Sequence, residues 1–341
     1  MILALILCLA LWLLGWVLDT PLWQRWLGIG AVWLAVLVGF LVLPQGNPFG
    51  GDARSWAVLS LIGAGVFGYS LLIKRLKSRV KVPMGPVVKP GSFAPAELDR
   101  YARHIMLREI GGPGQKALKS ARVLVIGAGG LGSPALLYLA AAGVGVIGVV
   151  DDDTVDASNL QRQIIHTDQG IGMPKVFSAE RAVKALNPFV EVRPYLRRLT
   201  EQSAGLIGEY DLILDGSDNF DTRYLVNRIA ARAGKPLISG AITQWEGQIS
   251  LFDPAHGTPC YECVFPDRPA PGMVPTCAEA GVAAPLPGVI GAMMAMEAVK
   301  HITGAGEGLK GRLLIHDALY AETRVIGIER RADCAVCGVR A

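Results

Sequence analysis

Arg122-Val-Leu-Val-Ile126, running directly into Gly127-Ala-Gly-Gly-Leu-Gly132-Ser-Pro134, is the stretch that decides the fold. Its first five residues are largely aliphatic without alternation, as in a parallel strand buried on both faces. The glycines that follow let backbone approach phosphate, and the Ala/Leu-rich run through Ala142 is a helix whose N-terminus offers oriented N–H donors. Gly127, Gly129, Gly130 and Gly132 are therefore candidate nucleotide contacts. A second strand over Val146–Val150 ends at Asp151, about twenty residues past the loop, where a carboxylate can bind ribose hydroxyls. Strand, glycine loop, helix and strand together predict a Rossmann-like, doubly wound, mostly parallel α/β sheet. Alone, this fits an NAD-dependent oxidoreductase equally well.

The next segments change that balance. Asp151 opens Asp-Asp-Asp-Thr-Val-Asp-Ala-Ser-Asn-Leu-Gln-Arg-Gln163, and Pro174-Lys175 starts a helix. Hydride transfer has little use for such charge, whereas a triphosphate does: Arg162 and Lys175 can neutralise a departing pyrophosphate. The strand Leu212-Ile-Leu214 ends in Asp215-Gly-Ser-Asp-Asn219. At the C-terminal edge of a parallel strand, Asp218 is a natural Mg²⁺ ligand beside phosphate oxygens. The competing role for Asp218 is to cap the helix starting near Phe220.

Six cysteines occur, and four form Cys260-Tyr-Glu-Cys263 and Cys334-Ala-Val-Cys337. Two such pairs, about seventy residues apart, can converge on one tetrahedral Zn²⁺ with four thiolates, a closed structural site that staples an antiparallel C-terminal extension. A thioredoxin-like redox role is the competitor, and the pattern fits a reducing compartment rather than a secreted disulfide framework. Cys277 stands apart in Pro275-Thr-Cys-Ala-Glu-Ala-Gly-Val282, after the Pro/Gly-rich stretch 266–275. The five histidines, His166 among them, are scattered without metal-like spacing and receive no role.

Working towards the N-terminus, the composition shifts. The 51% hydrophobic content is concentrated in the first eighty residues, and the net charge of +4 is mild. Three apolar stretches, about 2–18, 26–43 and 55–73, approach the ~20 residues of a membrane-crossing helix. Lys74, Arg75, Lys77, Arg79 and Lys81 follow, which favours the cytoplasmic side. The expectation is a multi-pass inner-membrane protein in a lipid bilayer, with residues 1–80 spanning it, 81–94 linking, and a cytoplasmic domain over 95–341. The alternative is a buried helical hairpin or a peripheral association with the membrane. Nucleic acid is not expected as a partner.

Taken together and in order, Gly127-Ala-Gly-Gly-Leu-Gly132, Ser158-Asn-Leu-Gln-Arg-Gln163, Ser217-Asp-Asn219 and the paired Cys-x-x-Cys motifs resemble the MoeB/ThiF/HesA proteins, relatives of the ubiquitin-activating enzymes. The likeness covers roughly residues 95–341 and lies closest to MoeB; the first eighty residues have no counterpart in it. It implies an adenylyltransferase that uses ATP and Mg²⁺ to activate the C-terminal glycine of a ubiquitin-like sulfur carrier ending in Gly-Gly. A MoaD-like carrier for molybdenum cofactor biosynthesis is the first expectation, a ThiS-like or tRNA-thiolation carrier the second, and an inactive scaffold the rival of another class. The resemblance places Gly130 and Asp151 on adenosine, Ser158, Asn159, Gln161, Arg162 and Lys175 on the nucleotide, and Asp218 and Asn219 on Mg²⁺ and phosphate. It makes Arg103, in Arg100-Tyr-Ala-Arg103, reach a second subunit's ATP site in a homodimer. It makes Cys277 either a nucleophile towards the carrier or a loop residue. Sulfur is expected from an external donor.

Overall fold

The computed structural model describes residues 2–18, 20–42, 53–79, 92–270, 273 and 277–338. The chain divides into two compact units, Met1–Gly85 and Pro86–Ala341. The first holds helices α1 (Ile2–Val17), α2 (Leu22–Val42) and α3 (Ala53–Arg79). Ala4, Val32, Val36 and Trp56 form its small core, with Trp33 edge-on to Trp56 at 5.0 Å.

These helices overturn the expected membrane spans and localisation: among the described residues, no helix is long and apolar enough to cross a membrane. The physical reasons are readable in each. α1 has 16 residues, about 24 Å at 1.5 Å per residue, short of the ~30 Å hydrocarbon layer. The apolar part of α2 begins only after Gln24 and Arg25, and α3 carries Arg54 at one end and Lys74, Arg75, Lys77 and Arg79 at the other. Most of the expected linker lies outside the described residues.

The second unit opens with α4 (Pro95–Ile105) and α5 (Gly111–Ser120), then β1 (Arg122–Ile126), α6 (Gly132–Ala142) and β2 (Val146–Asp151). α7 (Lys175–Leu186), β3 (Glu191–Leu196), α8 (Ala204–Gly208), β4 (Leu212–Asp215) and α9 (Phe220–Arg232) complete the doubly wound part. β5 (Leu237–Ile242), β6 (Glu246–Phe252), α10 (Tyr261–Val264), α11 (Cys277–Ala280), α12 (Leu286–Thr303), β7 (Arg312–Asp317) and β8 (Glu322–Gly327) follow. All eight strands form one sheet in the order β3-β2-β1-β4-β5-β6-β7-β8. β3, β2, β1, β4 and β5 run parallel to one another, and β6, β7 and β8 add antiparallel strands, as expected. β7 is paired on both sides, with β6 and with β8.

Helices cover both faces. α6, α7 and α12 bury one side of β1 and β2 around Val123, Val125 and Ile147, while α8 and α9 bury the other around Leu124, Ile213 and Tyr210. Close packing fixes α12: a methyl added at Gly291 would meet Leu131 O at 2.3 Å. Chain order reverses between β1 and β4, so their loops diverge and open a crevice at their C-terminal ends.

Candidate functional site

The glycine loop leaves β1 at Gly127, which turns with φ +90°. A methyl at Gly132 would stand 1.8 Å from Gly127 O, so the tight return into α6 excludes any side chain there. The peptides around Ala128 are held from two sides. Ala128 N–H donates to Asp151 Oδ2 at 2.8 Å, and Asp151 Oδ1 accepts from Asp153 N–H at 2.8 Å. Burial raises the Asp151 carboxyl above its ordinary value, opposed by those two N–H groups. Ala128 O lies 2.8 Å from His166 Nε2.

Beyond the loop, Asp156 Oδ1 accepts from both N–H and Oγ–H of Ser158, at 2.8 and 2.5 Å, and so starts a short 3-10 turn. Asn159 Oδ1 accepts from Arg162 at 2.7 Å, holding the guanidinium on its own turn while the side-chain stem lies beside Gly130. Gln161 is exposed, and Gln163 is buried with its Oε1 unpartnered among the described residues. Lys175 Nζ is buried and donates to Asp153 Oδ2 at 2.8 Å, a carboxylate that is itself mostly exposed.

β4 delivers Asp215, fully buried, and its oxygens organise the opposite wall. Oδ1 accepts from Ser217 N–H and Oγ–H at 3.0 and 2.6 Å, and Oδ2 accepts from Ser239 Oγ–H at 3.1 Å. Arg223, on the first turns of α9, donates to Ser217 O, Ser239 Oγ and Gly240 O at 2.6 to 3.0 Å, and stands 3.9 Å from Asp215 Oδ2. The helix cap is Asn219, whose Oδ1 accepts from Thr222 N–H at 2.8 Å, rather than Asp218. Asp218 is left exposed, with Asn219 Nδ2 at 3.5 Å as its one polar side-chain neighbour among the described residues.

These walls enclose a cavity of about 450 Å³. It runs from Gly130 and Arg162 past Asp218 and Asn219 to Gln248 and Phe265 over the antiparallel strands. The cavity thus gathers four of the sequence-derived candidates. Asp151, Ser158, Asn159 and Lys175 cluster on the Asp153 side of the same loop, tied to it through Asp151 and Arg162. Arg103 lies exposed on α4, and the Cys277 side chain lies outside the described residues. Arg223 and His166 went unread in the sequence. A lone arginine inside a helix and a histidine without metal spacing carry no pattern; only the fold shows what they hold.

In the middle of α9, Asn227 Nδ2 approaches Cys260 Sγ at 3.8 Å, and Asn227 Oδ1 accepts from Tyr261 N–H at 2.9 Å. Cys260, Cys263, Cys334 and Cys337 are buried, with their sulfurs mutually within 4.8 Å. Individual S···S distances are 3.9, 3.6 and 3.4 Å. Four thiolates at ~2.3 Å from a tetrahedral ion would stand ~3.8 Å apart, so the donor set fits Zn²⁺. Burial, then the neighbouring Cys263, pushes the Cys260 thiol far above its ordinary value, a cost that a bound dication removes.

A glycine loop at the switch point of a doubly wound sheet, lining one cavity with Arg162 and the exposed carboxylate of Asp218, defines a nucleotide-handling α/β enzyme. The chain belongs to the ThiF family, whose model matches residues 101–336. Over 247 residues it is 51% identical to a sulfur carrier protein adenylyltransferase of Thermus thermophilus, covering 71% of this chain and 91% of that protein. It is 52% identical over 250 residues to the probable adenylyltransferase/sulfurtransferase MoeZ of Mycobacterium tuberculosis, covering 72% of this chain but only 64% of MoeZ. With that family and those relatives, the chain is an adenylyltransferase and uses ATP. A crystal structure of E. coli MccB with MccA-N7isoASN superposes with a TM-score of 0.63 at 23% identity, over 70% of this chain and 74% of that one. At that identity the likeness concerns the fold.

Proposed function

We propose that the domain over 95–341 adenylylates the C-terminal glycine carboxylate of a ubiquitin-like sulfur carrier ending in Gly-Gly. The observation carrying this reading is the single cavity that joins the glycine loop to the antiparallel strands. One end suits a nucleotide; the other, at Gln248 and Phe265, suits an extended peptide tail. The name borne by the Thermus relative, over most of its length, supports the same substrate class. A MoaD-like carrier is the specific form proposed.

The carrier's carboxylate attacks the α-phosphorus of ATP. A carboxyl-oxygen-to-phosphorus bond forms, the α–β phosphoanhydride breaks, and pyrophosphate leaves with the electron pair. No general base is needed, because the nucleophile is ionised at neutral pH. The chain's work is positioning and charge neutralisation. Gly129, Gly130 and the N-terminus of α6 cradle phosphate, Asp151 lies towards the ribose, and Arg162 and Lys175 balance the departing charge. Arg103 of a second copy completes the site in a homodimer. Asp218, a hard oxygen donor free of strong partners, would hold Mg²⁺, which when bound neutralises phosphate charge.

The test is ATP–pyrophosphate exchange by the full chain with MoaD-like and ThiS-like carriers, each with and without Gly-Gly. Exchange that requires the MoaD-like carrier and its Gly-Gly is expected. Exchange only with the ThiS-like carrier would reassign the pathway, and none with any ubiquitin-like protein would remove the carrier reading. In the same assay Lys175→Ala should lower turnover by about 10²–10³-fold, the usual loss for a donor that meets developing charge. Its melting temperature should barely move, because the Asp153 carboxylate left behind is solvent-exposed.

A further inference from the structure

Segment 162–166 lies along the glycine loop. Arg162 Cγ is 3.7 Å from where a Gly130 methyl would sit, Gln163 Nε2 is 3.7 Å from the same point at Gly129, and His166 Nε2 is 2.8 Å from Ala128 O. Of these contacts, the last fixes a hydrogen. A carbonyl oxygen only accepts, so His166 Nε2 carries the proton and donates. His166 Nδ1, 2.9 Å from Ser178 Oγ, is then the acceptor of the serine hydroxyl. The ring is buried, and that burial holds the imidazole below its ordinary value, in keeping with this single neutral tautomer.

The two partners belong to different parts of the site. Ala128 O belongs to the peptide joining Ala128 to Gly129; because a trans peptide points its C=O and N–H in opposite directions, fixing the carbonyl fixes the Gly129 N–H on the far side. Among the described residues that N–H has no acceptor within the chain. Ser178 lies one turn into α7, the helix that begins with Lys175.

We propose that His166 is a positioning residue for ATP. It orients the Ala128–Gly129 peptide so that Gly129 N–H faces the nucleotide, and through Ser178 it ties that loop to the helix carrying Lys175. The inference rests on ATP use at this loop and is independent of which carrier is activated.

The experiment is calorimetric titration of the full chain with ATP for wild type, His166→Leu, His166→Gln and Ser178→Ala, alongside melting without nucleotide. Leucine fills the space but leaves Ala128 O unpaired and the peptide free to turn. ATP binding should weaken by about tenfold or more, each tenfold being about 1.4 kcal/mol. Glutamine keeps an Nε2–H at similar reach and should stay within about threefold of wild type. Ser178→Ala, which cuts the tie to α7 but leaves the Nε2–H bond to Ala128 O in place, should fall between them. In pyrophosphate exchange, the KM for ATP should rise in the leucine variant while the KM for the carrier holds. A purely structural histidine would give leucine and glutamine variants with lowered melting temperatures and unchanged ATP affinity. A folded His166→Leu chain that binds ATP like wild type, or a glutamine variant as weak as leucine, overturns the proposal. Failure to find a carrier leaves these titrations, and the inference, standing.

Discussion

Arg223→Ala should cost about 3–5 kcal/mol of unfolding free energy, the usual penalty for removing one partner of a buried ion pair. For a domain of this size that lowers the melting temperature by roughly 10 °C. The side chain is 7% exposed and serves three acceptors, Ser217 O, Ser239 Oγ and Gly240 O, while facing an Asp215 carboxylate that is 0% exposed. Alanine leaves two carbonyls and the Ser239 hydroxyl oxygen without this donor, and the Asp215 carboxylate without its counter-charge, each an expensive loss. Lysine offers one compact ammonium in place of a planar fork and should recover less than half of the deficit.

The loss should reach the site as well. Arg223 pins the carbonyl of Ser217, one residue before Asp218, and β5 at Gly240, so it sets the distance between two cavity walls. ATP affinity of the folded fraction should fall alongside stability. The cycle with Asp215→Asn separates the causes: the double variant should be less destabilised than the sum of the singles, since the unpaired charge is gone. Strict additivity in denaturant titrations would mean that the 3.9 Å pair carries no coupling and that Arg223 acts only through its hydrogen bonds.

What could be read from sequence was whatever is local. The strand into the glycine loop, Asp151 at the end of β2, the helix starting at Lys175 and the four paired cysteines each announce themselves within a few residues or by a fixed repeat. Contacts across the sheet do not. Asp215 and Arg223 meet only because β4 and α9 pack around Ser239 on the next strand, and His166 reaches Ala128 from 38 positions away. β3, with its charged and proline-bearing pattern, and β8, exposed along its whole length, lack the apolar signature that marked the central strands. The helix cap went to Asn219 because its side chain sits at the residue where the backbone is still extended, one position later than the carboxylate suggested. At the N-terminus, apolar composition misled: it predicts helices well and their length relative to a bilayer poorly, since Gln24, Arg25 and Arg54 fall inside helical turns.

Removing metal from the cysteine cluster should have the largest effect on the domain. Structural Zn²⁺ sites with thiolate ligands bind with about 10–16 kcal/mol, comparable to the whole stability of a domain. The protein should carry one zinc per chain, and cobalt substitution should give the absorption of a tetrahedral thiolate site. Cys263→Ser, or stripping with a mercurial and chelator, should release the segment 331–338 from α10, because the four sulfurs, the Arg331 N–H to Cys263 Sγ contact and the packing of Val336 on the cluster join them. The damage should not stop at the cluster. Tyr261 stands between Cys260 and the cavity it lines, edge-on to Tyr224 and Phe252, and Phe265 follows at 4.8 Å. Loss of the metal therefore loosens the end of the cavity assigned to the carrier tail before it reaches the glycine loop. The KM for the carrier should rise at a lower degree of metal loss than the dissociation constant for ATP, measured on the same partially stripped samples. If both decline in parallel with zinc content, the domain unfolds as one unit and the cluster has no separate hold on the tail end; if neither declines, the four cysteines do not staple this fold.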